Sequence, residues 1–344
     1  MTQIIFQEIL GALMDKKNLT SKTSKKIMGL IINKQLTDAQ ISALLIAFQN
    51  KRITSDELNG FLEALQKVAI HIKPNASYLI DMCGTGGDNS KTFNISTIAA
   101  FVVAACDVNV AKHGNRSVSS TCGSADVLEQ LGIPINLSPE DVTTCIEETG
   151  IGFLFAQMYH PSFKNISHIR KELGVKTLFN MLGPLLNPAP LHGQCIGVFD
   201  PSLTELYAET LKKAGMKNAM IIHGDGLDEI TICGRTKITY LNRKRIKTFY
   251  LEPEEIGLDQ CAKKEIQSHS IEENKKIFSD ILRGKKSAKR DIVEVNAAAG
   301  LIVAGKVDSF KEGIKRAAIA IDTGKALEKF EAFKRLSNDL AKNN

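Results

Sequence analysis

YLIDMCGTGGDNSKTFNISTIAAFVVAACD, residues 78–107, joins a short apolar run, a loop with three glycines and a long apolar segment. The apolar run has the length of a buried strand, and the segment after the loop has the composition of a buried helix. A strand, a loop and a helix in this order are typical of an α/β sheet, which carries ligand loops at the carboxyl edge of its strands. The stretch therefore predicts an α/β fold with a candidate site at this loop.

The same alternation continues toward the C-terminus. Buried strands are predicted for VNVAKHG (108–114), QCIGVFD (194–200) and AMIIHGDG (219–226), and a helix is predicted for SADVLEQLG (124–132). ITICG (230–234), KITYLN (237–242) and KTFYLEP (247–253) are predicted to form an antiparallel extension, and the Ala-rich residues 291–333 are predicted to be helical. A central, mostly parallel sheet is the expected fold class.

The first 72 residues predict helices without strands. Thr37 with Gln40, and Thr54 with Glu57, match the capping-box pattern at a helix start, and apolar residues follow each pair at helical spacing. HIKPNAS (71–77), with its proline and polar neighbours, predicts a linker or hinge. A helical part is therefore expected to precede the α/β part.

Composition and charge limit the classes of function. The chain has 344 residues, 43% of them hydrophobic, with a net charge of +6, 6% aromatic residues and no Trp. These values predict a globular protein without a stacking platform for nucleic acid, so no nucleic-acid partner is expected. No apolar run reaches the roughly 18 to 20 residues that span a bilayer, and the first residues do not resemble an export signal. We expect a cytoplasmic protein without a membrane partner, and reduced thiols at its seven scattered cysteines.

The glycine loop predicts an anion site. Exposed backbone amides of residues 84–88 and the N-terminus of a helix that starts near Asn94 would meet at one point. Asn94, Ser96 and Thr97 add side-chain donors there. The loop matches neither the P-loop nor the G-x-G-x-x-G pattern. A tight turn without a ligand would also use glycine.

A second loop, KHGNRSVSSTCGSAD (112–126), follows the strand VNVA and concentrates polar residues. Lys112 and Arg116 would neutralise phosphate charge, and the hydroxyls of Ser117, Ser119, Ser120 and Ser124 would donate to phosphate oxygens. A solvated surface loop would have a similar composition. His113 is equally compatible with a structural histidine and with a ligand contact.

Asp228 and Glu229 follow a glycine turn at the end of a predicted strand. Carboxylates near a polyphosphate repel it unless a cation lies between them, and Mg²⁺ is usually held by one or two carboxylates together with water and substrate oxygens. The pair therefore predicts a magnesium site. An exposed acidic turn is the alternative.

A fourth segment, SHIRKELGVKTLFNMLGPLLNPA (167–189), is predicted to be helical from Arg170 and to end in a Gly183-Pro184 turn. A guanidinium beside an apolar helix face can hold a carboxylate in bidentate fashion. Arg170 is therefore either a carboxylate clamp or a surface charge.

GTGGD (84–88), NIST (94–97), KHGNRSVSS (112–120), GSAD (123–126), LFNMLGPLLNP (178–188) and DGLDE (225–229), in this order and spacing, resemble the anthranilate phosphoribosyltransferase family. The resemblance covers nearly the whole chain. It implies transfer of the 5-phosphoribosyl group from 5-phosphoribosyl 1-diphosphate (PRPP) to anthranilate, with release of diphosphate, in tryptophan biosynthesis. It also implies a homodimer of chains in which a helical domain, 1–72 completed by about 165–188, is hinged to an α/β domain, 73–344, that binds the phosphoribosyl group.

The same resemblance implies the site residues. Those expected around PRPP are Gly84, Gly87, Asp88, Thr92, Asn94, Ile95, Ser96, Thr97, Lys112, His113, Gly114, Asn115, Arg116, Ser117, Val118, Ser119, Ser120 and Ser124. Ser96, Asp228 and Glu229 are expected to hold Mg²⁺, two ions per active site, and Gly84, Asn115 and Arg170 to contact anthranilate. Lys176 departs from the arginine expected in many relatives, which puts a fork-shaped contact in doubt.

The chemistry of the implied reaction needs few protein groups. Departure of diphosphate leaves an oxocarbenium-like carbon, so the main demands are magnesium on the leaving group and placement of the amine. We assign no catalytic base, and His113 is a positioning group at most. Two rival interpretations are a pyrimidine nucleoside phosphorylase, which would not need the carboxylate pair, and a nucleic-acid-binding relative, which would need a basic stripe.

Overall fold

The fold is built around a sheet of seven strands. The structure is a computed structural model and describes residues 2–88, 90–117 and 122–342. The strands are β1 (Leu79–Gly84), β2 (Asn109–Gly114), β3 (Ile151–Phe155), β4 (Gly193–Gly197), β5 (Asn218–Gly224), β6 (Thr236–Asn242) and β7 (Arg245–Leu251). Their spatial order is β3-β2-β1-β4-β5-β6-β7. The pairs from β3 to β5 are parallel, and β6 and β7 continue the sheet in antiparallel fashion. The loops that follow β1, β2, β4 and β5 consequently leave the sheet at one edge.

The helices in chain order are α1 (Thr2–Met14), α2 (Ser21–Ile32), α3 (Asp38–Lys51), α4 (Ser55–Gln66), α5 (Ile95–Ala104), α6 (Ser124–Gln130), α7 (Pro139–Thr149), α8 (Ala156–Tyr159), α9 (Lys164–Leu173), α10 (Phe179–Leu182), α11 (Leu203–Lys213), α12 (Ile271–Leu282), α13 (Ala288–Val303), α14 (Phe310–Asp322) and α15 (Lys325–Lys342). Short 3₁₀ turns lie at Pro161–Phe163, Gly183–Leu186, Pro253–Ile256 and Lys263–Ile266. Within the described residues, none of these helices combines the length and apolar character needed to cross a membrane.

The N-terminal helices start where the capping boxes predict. Thr37 accepts a hydrogen bond from the backbone N–H of Gln40 at the start of α3, and Thr54 accepts one from Glu57 at the start of α4. The apolar faces of α1 to α4 form one hydrophobic cluster, which also takes in Ile166 of α9 and Leu182 of α10. The same cluster includes Tyr207 of α11 and Ile221 of β5, so the N-terminal helices share their core with later parts of the chain.

A second hydrophobic cluster fills the space between the sheet and helices α5, α7 and α12 to α15. α5 is buried on all sides, as its uninterrupted apolar sequence requires, and it packs against α13. Its N-terminus faces the carboxyl edge of the sheet. Three of the site segments predicted above, the loops after β1, β2 and β5, lie at this edge.

The structure corrects three local expectations. β3 was not among the predicted strands. ITICG is not a strand, because side chains take its backbone groups: Asn296 bonds both the N–H and the carbonyl of Ile230, and the Thr236 hydroxyl accepts the N–H of Thr231. Arg170 does not begin a helix but lies in the last turn of α9, which ends at Gly174 in the left-handed conformation (φ 62°).

Candidate active site

The loop after β5 brings two carboxylates to the carboxyl edge of the sheet. The carboxylate of Asp228 accepts a hydrogen bond of 2.7 Å from the backbone N–H of Gly86, in the loop after β1. The carboxylate of Glu229 accepts one of 3.1 Å from the backbone N–H of Ser96, in the first turn of α5. The acidic pair, the glycine loop and the helix N-terminus thus form one cluster, as the sequence predicts.

Two glycines allow Asp228 to lie this close to the sheet. A Cβ on Gly197, at the end of β4, would collide with the backbone carbonyl of Asp228. A Cβ on Gly84, at the end of β1, would collide with the carboxylate of Asp228. The carboxylate position therefore depends on the absence of side chains at the ends of two neighbouring strands.

The electrostatics of the pair favour binding of a cation. Burial raises the pKa of Asp228, and the nearby Asp88 carboxylate raises it further. Burial and Asp228 raise the pKa of Glu229, while Lys112 opposes that rise. Neighbouring carboxylates with raised pKa values become stable in the charged form when a cation lies beside them.

The donor set fits Mg²⁺. The candidate ligands are the carboxylates of Asp228 and Glu229 and the hydroxyl of Ser96, all of which are hard oxygen donors. No group of three or more His, Cys, Asp and Glu side chains able to hold a metal occurs among residues 2–88, 90–117 and 122–342. Mg²⁺ does not need such a cage, since it usually keeps several waters and binds one or two carboxylates plus substrate phosphates.

Lys112 places a buried ammonium group beside this cluster. It projects from β2, is 3% exposed, and its Nζ donates to the carbonyl of Met82 at 2.6 Å and to the Ser96 hydroxyl at 3.3 Å. Burial lowers the pKa of Lys112, and the buried carboxylate of Asp81 opposes this effect. The cation is therefore held in a fixed position next to the candidate metal ligands.

The loop after β1 lines a cavity of about 360 Å³. Asp88, Ser90 and Thr92 form one side of the cavity, and residues of the β5 loop and of the segment before α12 form the other, among them Asp225, Lys263 and Gln267. The Asp88 carboxylate accepts a bond of 2.7 Å from the Ser90 hydroxyl, which fixes the turn. The cavity opens beside the acidic pair and is large enough for part of a small ligand.

Asn94, the N-cap residue of α5, differs from its predicted use as a phosphate donor. Its side-chain amide donates to the carbonyl of Cys122 and to the Asn274 side chain, and its backbone N–H also donates to Asn274. Its side chain makes no capping bond to the first turn of α5. In that turn the backbone N–H of Ser96 donates to Glu229 and that of Ile95 donates to the carbonyl of Phe93, so the protein itself already uses both groups.

The loop after β2 is held by α6. The Arg116 guanidinium makes a bidentate contact with Glu129 and a further bond to Asp126, so carboxylates balance its charge in this structure. The Ser124 hydroxyl donates to the carbonyl of Asn115. Val118, Ser119 and Ser120 lie outside the described residues. The predicted contacts of this loop with PRPP stay predictions.

A row of aromatic rings links Arg170 to the ring pair His113–His160. Its guanidinium is 5.8 Å from the ring centre of Phe179, and Phe163 links Phe179 to His160 through ring contacts of 5.7 Å each. The His160 and His113 rings are 5.3 Å apart. Within the described part of the chain, the half-buried guanidinium of Arg170 has no carboxylate partner, so its charge is available to an anion.

The two histidines are buried and neutral. Burial and the neighbouring His160 lower the pKa of His113 to about 3, and burial lowers the pKa of His160 to about 4. The Nε2 atom of each ring is buried without a hydrogen-bond partner among the described residues. Polar atoms of this kind usually have a partner, which here a ligand or water can supply.

The predicted site residues fall into three groups. The first group lies at the end of β1, in the loop after it, in the first turn of α5 and on β2 beside Ser96: Gly84, Gly87, Asp88, Thr92, Asn94, Ile95, Ser96, Thr97 and Lys112. The second lies from the end of β2 to the start of α6: Gly114, Asn115, Arg116, Ser117 and Ser124. The third is His113 and Arg170, which the row of rings joins. The sequence interpretation missed His160, Asn274 and Asn296. YHP (159–161) is the only local signal for the first. Asn274 and Asn296 lie in ordinary helical sequence, where no local pattern marks them as part of a site.

Comparison with known proteins gives a consistent result. Residues 76–327 match the model of the glycosyl transferase family, a/b domain, and residues 7–69 match the helical bundle domain of the same family. The chain is 44% identical to the anthranilate phosphoribosyltransferase of Petrotoga mobilis over 338 residues, which cover 98% of each protein.

Solved structures agree with the sequence relatives. The anthranilate phosphoribosyltransferase of Thermus thermophilus superposes with a TM-score of 0.91 at 34% identity, over 96% of this chain and 99% of the other. The enzyme from Saccharomyces cerevisiae, solved in complex with PRPP and Mg, superposes with a TM-score of 0.89 at 26% identity, over 97% and 98% of the two chains.

Proposed function

This chain belongs to the anthranilate phosphoribosyltransferase family, and from that premise we propose that the cluster around Asp228 and Glu229 is where it transfers the 5-phosphoribosyl group of PRPP to anthranilate. The observation that carries the proposal is the meeting of three elements at one sheet edge. The acidic pair, the glycine loop and the N-terminus of α5 are joined there by the hydrogen bonds to Gly86 and Ser96.

The donor side of the proposed site holds phosphate through backbone and side-chain donors. The N-terminus of α5 lies beside the loop that bears the acidic pair, where an anion gains from the helix dipole. Lys112 adds a fixed positive charge. Arg116 would join the donor side only by exchanging its carboxylate partners on α6 for phosphate oxygens.

The metal residues of the proposal are Ser96, Asp228 and Glu229, with two Mg²⁺ ions per active site. Bound magnesium would neutralise charge on the diphosphate as it leaves the anomeric carbon. The protein holds the carboxylates in place through Gly86 and Ser96 N–H groups and keeps water partly away from them. Binding of a cation would lower the pKa values that burial has raised.

The acceptor side of the proposal rests on Arg170. Anthranilate is a flat ring with a carboxylate beside its amine, so its site must hold the carboxylate and direct the amine toward the anomeric carbon. The row of rings from Phe179 to His113 offers aromatic contact, and the guanidinium of Arg170 at one end offers charge. Asn115 and Gly84 are the proposed contacts nearer the donor.

No protein group is proposed as a base. The aromatic amine has a free lone pair at neutral pH and can lose its proton after attack. His113 is held neutral by burial and is proposed to position the acceptor through its free Nε2 atom. Placement of two bound substrates is then the main contribution of the chain to the rate.

The metal proposal is tested by the loss of anthranilate fluorescence in the presence of PRPP and Mg²⁺. Asp228→Asn combined with Glu229→Gln should reduce kcat by roughly two orders of magnitude or more, because charge stabilisation of a leaving group is lost. The control Asp339→Asn combined with Glu331→Gln removes the same formal charge from the exposed face of α15 and should keep wild-type activity. A double variant of the acidic pair with unchanged kcat and an unchanged magnesium requirement would refute the assignment.

The oligomeric state is proposed to be a homodimer. α1 and α3 pack against each other and leave large apolar side chains in solvent, with Ile4 60% and Ile46 45% exposed. A second copy of the chain would bury them. Size-exclusion chromatography with light scattering should give twice the mass of 37.6 kDa. Ile4→Asp with Ile46→Asp should shift the mass toward one chain, whereas a monomeric wild type would overturn the proposal.

We propose that the chain is divided into two domains, with the active site between them. We place the helical domain at 1–72, completed by about 165–188, and the α/β domain at 73–344, with the site between them. The family models support this division, since one match ends at residue 69 and the other begins at residue 76.

We also place the enzyme in the cytoplasm, where free cysteines such as those of this structure stay reduced.

A further inference from the structure

Two cysteine side chains from distant parts of the chain meet beside the candidate active site. The Sγ atoms of Cys233, in the loop after β5, and Cys261, in the connection from β7 to α12, are 3.3 Å apart. The backbone N–H of Cys261 donates to the carbonyl of Ile232 at 3.0 Å, so the two chain segments run side by side. Both side chains are partly exposed, whereas the other five cysteines are buried.

The segment that carries Cys261 touches both loops of the donor site. We call residues 261–268 the strap. Lys263 donates to the carbonyl of Asp225 and pairs with its carboxylate at 3.0 Å, in the loop that bears the acidic pair. Gln267 forms a bridge with Thr92 and donates to the carbonyl of Ser90, in the loop after β1. The strap therefore closes one side of the cavity beside Asp88.

We propose that Cys233 and Cys261 are a dithiol site that a small-molecule disulfide oxidises to an intramolecular disulfide, tying the strap to the loop of the acidic pair. A disulfide requires Cα atoms within about 7 Å and an S–S separation of about 2.05 Å. The backbone bond beside the pair holds the two segments at the spacing of paired strands, and the Sγ atoms, 3.3 Å apart, have to approach further by side-chain rotation. A metal is a poorer occupant, since no third ligand joins the two thiols within the described residues.

The reaction balances with a disulfide such as oxidised glutathione. The thiolate of one cysteine attacks the small disulfide and releases one thiol, which leaves a mixed disulfide on the protein. The second thiolate attacks the protein sulfur, releases a second thiol and closes the Cys233–Cys261 bond. Two protein thiols are oxidised by two electrons, and one small disulfide is reduced to two thiols. Burial and the neighbouring Cys233 raise the pKa of Cys261, so its thiolate form is scarce at neutral pH.

The cross-link has two consequences, the second of which rests on the proposed function. It closes a loop between positions 28 residues apart, so it should raise Tm by about 3 °C or more. It also limits how far the strap and the β5 loop can separate when a polyphosphate enters the cavity between them. The KM for PRPP should therefore rise about threefold or more, while the KM for anthranilate, whose proposed clamp lies on α9, stays within twofold.

Peptide mapping tests the site without reference to catalysis. After incubation with oxidised glutathione and alkylation of remaining thiols, the peptides of Cys233 and Cys261 should be recovered cross-linked, two hydrogens lighter, and separable by a reducing agent. Cys83, Cys106, Cys122, Cys145 and Cys195 should be alkylated only after unfolding. Recovery of Cys233 and Cys261 as free thiols or as separate glutathione adducts would overturn the site.

Kinetics then test the consequence. Cys233→Ser and Cys261→Ser should each keep the reduced wild-type kinetics and lose the response of Tm and of the PRPP KM to oxidised glutathione. Cross-linking that leaves the KM for PRPP unchanged would overturn the effect on the donor site. An inactive reduced enzyme that still forms the cross-link would instead contradict the proposed function and leave the dithiol site established.

Discussion

His113 and His160 make stability depend on pH in a defined direction. Burial lowers both pKa values below the ordinary value near 6.5, so the unfolded chain binds more protons than the folded one as the pH falls. Above about pH 6.5 neither histidine lowers the free energy of unfolding. Below it this free energy falls with pH, down to about pH 4 for His160 and about pH 3 for His113, by on the order of 1–2 kcal/mol per histidine at pH 5. Asp228 and Glu229, whose pKa values are raised, act in the opposite sense.

The measurement is the difference between variant and wild type in urea unfolding at pH 7 and pH 5. His160→Asn should remove part of the loss of stability on acidification, because the replacement takes up no proton in either state. His269→Asn, at an exposed histidine before α12, is the control and should leave the pH dependence unchanged. Parallel pH curves for His160→Asn and the wild type would show that His160 does not titrate in this way.

Arg170 is the second prediction at the scale of one residue. Arg170→Ala should raise the KM for anthranilate about tenfold or more, the usual cost of a lost charged hydrogen bond, while calorimetric binding of PRPP stays nearly unchanged. Arg170→Lys keeps the positive charge but loses the bidentate geometry of the guanidinium. Its KM for anthranilate should lie between those of the wild type and of Arg170→Ala. Wild-type kinetics for anthranilate in the alanine variant would move the acceptor site elsewhere.

Helices α12 and α13 act as supports for the loops of the site. Asn296 on α13 bonds both backbone groups of Ile230, the residue after Glu229. Asn274 on α12 bonds the backbone and side chain of Asn94 at the start of α5. α13 thereby holds the segment next to Glu229 in place, and α12 holds the start of α5.

Asn296→Ala should lower the free energy of unfolding by about 2–3 kcal/mol, because two buried backbone groups lose their partner. The concentration of Mg²⁺ for half-maximal activity should rise as well, since Glu229 loses its support. Asn338→Ala removes an amide that bonds α15 and Gly132, away from the site, and should affect stability only. Denaturant unfolding and magnesium titration measure the two effects separately. A normal magnesium requirement in Asn296→Ala would mean that Asn296 contributes to stability and not to magnesium binding.

Local sequence predicted the elements whose signal is contiguous. A buried parallel strand that ends in glycine is recognisable from its own residues, as at β1, β2 and β5. IGFLF of β3 was missed, because five apolar residues beside a helix are as compatible with helix as with strand. The clamp of Asn274 on Asn94 joins residues 180 positions apart, so only tertiary structure reveals it.

On the scale of the whole molecule, one lysine connects the helical part to the donor loop. The Nζ of Lys176, between α9 and α10, donates to the carbonyl of Gly87 at 2.9 Å and lies 3.8 Å from the ring centre of Phe199. The contact is a single hydrogen bond with a cation–π interaction, which an ammonium can make as well as a guanidinium. The departure from arginine at this position therefore leaves the connection intact.

Lys176→Ala should weaken the connection and raise the KM for PRPP several-fold, because the loop after β1 loses its link to the helical part. Hydrogen exchange of residues 84–94 should become faster in the same variant. Lys171→Ala, at an exposed lysine on α9, controls for charge and should match the wild type in both measurements. Unchanged exchange in Lys176→Ala would mean that the loop keeps its conformation without the lysine.

The helical part of the core has a consequence for how the protein is made. α1 to α4 leave the ribosome first, yet Ile166 and Leu182 of the same hydrophobic cluster lie about a hundred residues later, and Tyr207 and Leu241 lie later still. At synthesis rates of about 5–20 residues per second, the early helices wait roughly 5–20 s with apolar surface uncovered. During that interval β1, β2 and β3 are synthesised, so the α/β sheet begins to assemble while the segment before it is still incomplete. A nascent chain stalled before residue 164 would present the strongest binding site for a chaperone, and one stalled well beyond residue 241 would have lost it.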